Sequence, residues 1–434
     1  MRKTAIFEDV VSIMTQDSAT KKDIDGADPT GFRECISDDM SEKDFLYQVQ
    51  TYLASFGVIG HVAFREKYAK PKGFVLRSTI QGLYVEQANA DTNLQAGDQI
   101  VKLDGQHLEE FYRMHRAYFT SSTPERNYRE WSELISKARQ VTVLRAGAEQ
   151  ILSVEPSQNP IESRFECKEL EKGVIYLRLD DFRNEKAINK LYQEAQDTIK
   201  RAACLVIDVR QNTGGMDSLY FPLLHYALSE GQVYSDLDWT DEGMEILYTE
   251  RNVDLRLKDF EAYVQQEGIN QEMKDLLEII MQDLQANRGK GYVKFGGEDR
   301  EMFPNVKEGY VKFGGEDREM FPNVKGGSHP EKIFVLADVY CASSGDNFVQ
   351  MMKWFPKVTV LGRPTLGILD YSNCCQVDYG DYSLNFPTSR ALALDKGQGM
   401  TDKGIEPDIL IPWTVEHLER DVDLERCLEM IHDF

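Results

Sequence analysis

The sequence predicts a mixed α/β protein in which a helical entry segment and a β-rich module precede an α/β layer. Three observations carry this reading. Apolar residues recur at helical spacing over residues 7 to 14 and 45 to 56. From about residue 72 the pattern changes to short strands and turns, and beyond residue 170 buried-strand runs alternate with helical stripes. The length of 434 residues exceeds one ordinary core and suggests two or three domains. The expected boundaries are 1–70 for the helical part, 71–158 for the β-rich module and 159–434 for the α/β part, which carries an insertion over 231–330.

In the entry segment Phe45, Val49, Tyr52, Leu53 and Phe56 form one stripe behind a Ser41-x-x-Asp44 start signal. The segment ends in GVIGHVAF, Gly57 to Phe64, an apolar run interrupted by His61. The β-rich module reads GFVLR, GLYVEQA and LQAGDQIVKLDGQ, then a helix-like stretch, then VTVLRAG and ILSVE. In the third region GVIYLRLDDF, ACLVIDVR, KIFVLAD and VTVLG are strand-like. Ile188, Leu191, Tyr192, Ala195 and Ile199 make a helical stripe, and a second helix pattern runs from Asn347 to Trp354. Functional loops are expected at the strand ends.

The insertion holds an acidic helical stretch marked by Phe260, Val264, Met273, Leu277, Ile280 and Leu284. After it GYVKFGGEDREMFPNVK occurs twice, as Gly291 to Lys307 and as Gly309 to Lys325. Solenoids need about three or more stacked units, so a local duplication in a surface loop is the expectation, without chemistry of its own.

Hydrophobic residues at 41% and charged residues at 28% describe a chain that folds around real cores. Fifty Lys and Arg against 73 Asp and Glu leave a formal charge of -23, a field that repels phosphate backbones and sets nucleic acid aside as a partner. No run approaches the roughly 20 apolar residues that span a bilayer, and Glu8 and Asp9 stand where a signal core belongs. Cytoplasmic residence is the default expectation; a trimmed N-terminus would move it to the cell envelope or periplasm. The seven cysteines show neither CxxC pairs nor zinc spacing with histidine, which disfavours a disulfide framework and a structural metal.

Two segments carry candidate chemistry. In VIDVRQNTGG, Val206 to Gly215, paired glycines after a strand let the backbone approach a ligand and turn amides inward, as an oxyanion hole requires. The same pattern also ends ordinary strands. In LADVYCASSGDNFVQMM, Leu336 to Met352, a small-residue loop joins a strand to a helix. Ser343 or Ser344 there is a candidate nucleophile, because helix amides stabilise a developing oxyanion, although serine at a helix start is also an ordinary cap. Cys341 is read as a small buried side chain filling that loop. The other histidines lack metal-ligand spacing, and there is no G-x-x-x-x-G-K-S/T phosphate loop.

These segments, followed by GRPTLG (Gly362 to Gly367) and GIEPDI (Gly404 to Ile409), resemble the serine peptidases of the C-terminal processing and tricorn-core family. The family pattern is Y-x-R-x-x-x-F, D-x-R-x-N-x-G-G, S-x-x-E/D, G-E-x-T-x-G and G-V/I-x-P-D. It falls here on Tyr176 to Phe182, Asp208 to Gly215, Cys341 to Asp346, Gly362 to Gly367 and Gly404 to Asp408. The β-rich module in turn resembles a PDZ domain, with Ala96-Gly97-Asp98 and Asp104-Gly105 as its turns. The resemblance implies a crotonase-like catalytic fold and hydrolysis of extended or unfolded polypeptides without cofactor or metal. A PDZ-like groove would select a substrate by its C-terminus.

The same resemblance implies Ser343 as nucleophile, with amides of Ser344 and of Gly214 or Gly215 as the oxyanion hole. The processing branch places a lysine base where this chain has Ile368. The tricorn-core branch draws a histidine from the segment before the PDZ-like module, and His61 occupies that place. A satisfied core histidine is the alternative there, and Lys396 and Lys403 are the next candidate bases. Asp402 is the expected acid partner of His61, with Glu406 as its alternative. Ile368 and the incomplete histidine segment keep a second reading open, a catalytically inactive peptide-binding scaffold on a peptidase fold.

Overall fold

The computed structural model describes residues 1–237, 243–265, 271–295, 310–313, 316–319 and 325–433. It is a mixed α/β molecule built around several sheets. A six-stranded sheet has the order Ile409–Leu410, Val358–Gly362, Lys332–Ala337, Cys204–Asp208, Val174–Leu179, Phe165–Glu171. Its pairings are parallel except the last, which is antiparallel.

The strands read as continuous apolar runs because both faces of this sheet are covered. Leu205 and Ile207 face one core with Leu177, Val335, Phe348 and Val349, under the helices Glu185–Ile199 and Ser344–Met352. Cys204 and Val206 face the other with Phe334, Leu361 and Cys427 of the helix Val422–His432. The loops after Cys204–Asp208 and Lys332–Ala337 leave the carboxyl ends of two adjacent parallel strands, so the glycine pair and the serine loop emerge side by side.

A second six-stranded sheet comprises Phe74–Thr79, Gly82–Ala88, Gln99–Leu103, Gln106–His107, Val141–Arg145 and Ala148–Leu152, with antiparallel pairings throughout. Its core, around Leu76, Val85, Ile100 and Val143, is closed by Trp131 and Ile135 of the helix Tyr128–Ser136.

The entry helices Lys3–Ser12 and Glu42–Ala54 form as their spacing predicts, and Ser41 caps the second by accepting from the Asp44 amide at 3.1 Å. Their apolar faces do not close on each other alone. Phe7, Phe45 and Val49 share one core with Tyr371, Tyr382, Leu384 and Phe386 of a five-stranded antiparallel sheet. In that sheet Tyr382–Ala391 pairs with Tyr371–Asp378, Ala63–Glu66 and Met244–Tyr248, and Met244–Tyr248 pairs with Gly291–Lys294.

The insertion is thus more than a loop, since it supplies two strands of this sheet. Its acidic helical stretch is two helices, Glu250–Val264 and Gln271–Asn287. The first repeat copy begins as the strand Gly291–Lys294, and in the second Tyr310–Phe313 pairs with Glu316–Glu319; the rest of both copies lies almost wholly outside the described residues. All seven cysteines are free thiols, and no helix among the described residues is long and apolar enough to cross a membrane.

Candidate active site

The serine loop is held in a conformation that side-chain-bearing residues rarely adopt. Ser343 has φ 58° and ψ -120°, immediately before the helix Ser344–Met352. Asp346 enforces this turn. Fully buried, it accepts the Ser343 amide at 2.7 Å, and the Gly367 and Ile368 amides at 2.9 and 3.2 Å. One carboxylate therefore ties the serine loop to the GRPTLG turn, while burial raises its pKa against those hydrogen bonds.

Asn212 is the second anchor. Its amide nitrogen donates to the Leu179 carbonyl at 2.9 Å, its Oδ1 accepts the Gly214 amide at 2.9 Å, and its own carbonyl accepts the Ala342 amide at 2.9 Å. Gly214 packs so closely on the serine loop that a Cβ there would lie 2.7 Å from the Ser343 Cβ. A Cβ on Gly215 would run into the Phe182 carbonyl. These two contacts explain the glycine pair. Gly214, expected as an oxyanion donor, has its amide committed to Asn212. The Gly215 and Ser344 amides make no hydrogen bond among the described residues, which leaves these two as the candidate oxyanion donors. Ser344 donates its hydroxyl to the Gly215 carbonyl at 2.7 Å and is buried, which distinguishes it from Ser343. Cys341 is fully buried, and burial pushes its thiol well above the usual range.

Ser343 and His61 line one cavity of about 720 Å³ without a hydrogen bond between them. His61 sits just ahead of the edge strand Ala63–Glu66, and its carbonyl accepts from Asn385 Nδ2 at 3.1 Å. Its Nδ1 lies 2.5 Å from the Tyr371 carbonyl, so Nδ1 carries the proton and Nε2 the lone pair. Removal from water lowers the imidazole to about 4; the Tyr371 and Ile368 carbonyls oppose that shift and the Arg129 charge reinforces it. At neutral pH the ring is a neutral base.

The expected acid stands elsewhere. Asp402 accepts from the Ser121 hydroxyl, from the Ser122 hydroxyl at 2.7 Å and from the Ser122 amide at 3.2 Å, and it makes no hydrogen bond to His61. It fastens the GIEPDI region to the loop before Tyr128–Ser136. Glu406 is exposed, and its carbonyl accepts from Lys353 at 2.6 Å. Lys396 and Lys403 are exposed, and neither lines this cavity. Ile368 does line it, with a buried hydrocarbon side chain. Arg65, Arg129 and Arg183 also reach the cavity wall. They come from three separate elements with no shared motif, and sequence reasoning missed them. Among the described residues no group of three or more His, Cys, Asp and Glu side chains is placed to hold a metal ion.

The model of peptidase family S41 matches residues 173–411, more than half of the chain. Among solved structures the chain is similar to mature CPAF complexed with lactacystin, with 13% identity, a TM-score of 0.60, and coverage of 99% of this chain and 97% of that one. A structure of mature CPAF matches at 14% identity and a TM-score of 0.58, covering 96% and 94% of the two chains. At such identities the likeness speaks for the fold, and the family match for the class of enzyme. The chain belongs to peptidase family S41 and is a serine-type peptidase.

Proposed function

We propose that the protein is an endopeptidase that cleaves extended or unfolded polypeptides through an acyl-enzyme on Ser343. The observation that carries this reading is Ser343 itself, held at φ 58° at a helix N-terminus in one cavity with a neutral His61. His61 Nε2 takes the hydroxyl proton as Oγ attacks the scissile carbonyl, and returns it to the leaving amine. The amides of Ser344 and Gly215 hold the oxyanion, aided by the helix dipole. The Tyr371 carbonyl performs the tautomer-fixing part of an acid partner, and Asp402 holds the neighbouring loop in place.

The β-rich module is read as PDZ-like and the six-stranded parallel layer as crotonase-like. Antiparallel order and a closing helix support the first, and alternating strands and helices the second. A polypeptide captured by its C-terminus on that module would reach Ser343 beside Ala63–Glu66, a strand paired along one edge only. The missing Ser343–His61 hydrogen bond favours a second reading, a binding scaffold without turnover. Incubating an unfolded, reduced polypeptide with wild-type and Ser343→Ala protein, and reading fragments by mass spectrometry, separates the two. Cleavage by wild type alone supports the peptidase; no cleavage by either supports the scaffold.

A further inference from the structure

We propose that Arg65, Arg129 and Arg183 form a carboxylate-binding subsite beside Ser343, so that the bonds presented to the serine lie next to an acidic side chain or a free chain end. The proposal rests on reading Ser343 as the nucleophile.

The three guanidiniums converge on the cavity of Ser343 and His61 from the strand Ala63–Glu66, the helix Tyr128–Ser136 and the turn before Glu185–Ile199. None forms an ion pair with a described residue, in a chain where acids outnumber bases 73 to 50. The acids on the same wall are otherwise engaged. Glu133 pairs with Lys72 at 2.5 Å and Glu66 meets Lys137 at 3.8 Å. Glu130 is buried with one unpartnered oxygen, and burial raises its pKa. The cavity therefore carries a local positive excess inside a molecule of net charge -23. Glu133 acts on Arg65, Glu130 and Asp346 on Arg129, and Asp181 on Arg183, all from beyond ion-pair distance. Burial opposes the charge of each arginine, so a ligand carboxylate in direct contact would answer them better.

The arginines are also built into place. Arg183 donates to the Thr213 hydroxyl at 2.6 Å and carbonyl at 2.7 Å, beside Gly214. Arg129 donates Nε to the Tyr128 hydroxyl at 3.0 Å and lies against Gly60, where a Cβ would collide with its guanidinium. This leaves the Arg129 terminal nitrogens, which have no hydrogen-bond partner among the described residues, available in the geometry that binds carboxylate in two-pronged fashion. Arg129 adjoins the base and Arg183 the oxyanion wall, so a carboxylate bound between them would position the reacting peptide bond as well as hold it.

The test uses full-length Ser343→Ala protein, which holds peptides uncut, and fluorescence polarisation with three fluorescein-labelled nonapeptides built on alanine and serine. One carries a central glutamate and an amidated C-terminus; the other two carry glutamine in its place, one with an amidated and one with a free C-terminus. A preference of about tenfold for the glutamate peptide assigns the subsite to a side chain, and the same preference for the free end assigns it to a chain terminus. Adding Arg129→Gln should abolish the preference while leaving the neutral peptide within about twofold, and Arg129→Lys should restore part of it. If Arg129→Gln does not unfold cooperatively, Arg183→Gln is read in its place. Equal binding of all three peptides, or equal weakening of all three by the arginine variants, overturns the proposal. Fluorophosphonate labelling of Ser343 in wild type is read in parallel. Labelling with no carboxylate preference sinks the subsite alone, and no labelling sinks the nucleophile whatever the peptides show.

Discussion

His61 gives its Nδ1 proton to the main-chain carbonyl of Tyr371, 2.5 Å away and 310 residues later in the chain. A carbonyl fixes the tautomer as a carboxylate would, but brings no negative charge to favour an imidazolium. Together with removal from water, this leaves the imidazole at about 4.

The activity profile should follow from that value. Peptide cleavage needs neutral His61, so kcat/KM should rise with pH through about 4 and be level by neutral pH, as far as this group is concerned. Stability follows the same group. Its folded value lies below the ordinary 6.5, so the unfolded chain binds the proton more readily between about 4 and 6.5, and His61 destabilises the fold as pH falls through that window. His61→Gln should flatten that part of a denaturation-versus-pH curve. A rate midpoint near 6.5 in free enzyme would contradict the assignment.

Ser343→Gly should abolish peptidase activity and stabilise the fold by about 1 kcal/mol, because glycine adopts φ near 58° without the cost a Cβ carries there. Calorimetry against Ser343→Ala checks it, and the glycine variant should melt higher than the alanine variant.

Asp402→Ala should leave the pH profile of kcat unchanged, because its carboxylate is bound by Ser121 and Ser122 and not by His61. The loss should be of stability, about 1–2 kcal/mol for hydrogen bonds to a charged group at a partly exposed site. A collapse of kcat by several orders of magnitude would restore Asp402 to the catalytic group.

Asp338→Asn should be among the most destabilising single changes. Buried Asp338 accepts from Arg77 at 3.0 and 2.6 Å and from Arg363 at 2.8 Å, which joins the β-rich module to the serine-bearing strand. Removing its charge takes one of two carboxylates from each guanidinium, leaving Arg77 with Glu86 at 2.7 Å and Arg363 with Asp423 at 2.6 Å, at a cost of about 2–3 kcal/mol, read as a lowered denaturation midpoint.

Much of this architecture was legible in the sequence because burial on both sheet faces writes itself as continuous apolar strands; Val174–Leu179, Cys204–Asp208, Lys332–Ala337 and Val358–Gly362 all stand where the runs predict. The serine loop was legible because its motif residues fall in two short runs, Gly214–Gly215 and Ser343 to Asp346, although the contacts that hold them, Gly214 on Ser343, Gly215 on Phe182 and Asp346 with Gly367, join distant parts of the chain. What the chain brings together from afar was not. Helical spacing marks the apolar faces of Phe7 and Phe45 but not their partners, Leu384 and Phe386. A main-chain carbonyl such as that of Tyr371 has no side-chain signature at all. Asp402 was chosen by its distance from Gly404, and sequence distance does not report the direction of a carboxylate.

The most direct test of the central claim is fluorophosphonate labelling of folded wild-type protein with peptide-level mass spectrometry. The account predicts a single adduct on Ser343, lost in Ser343→Ala and strongly slowed in His61→Ala. An unlabelled Ser343 in protein that unfolds cooperatively, or an adduct on Ser344, would contradict it.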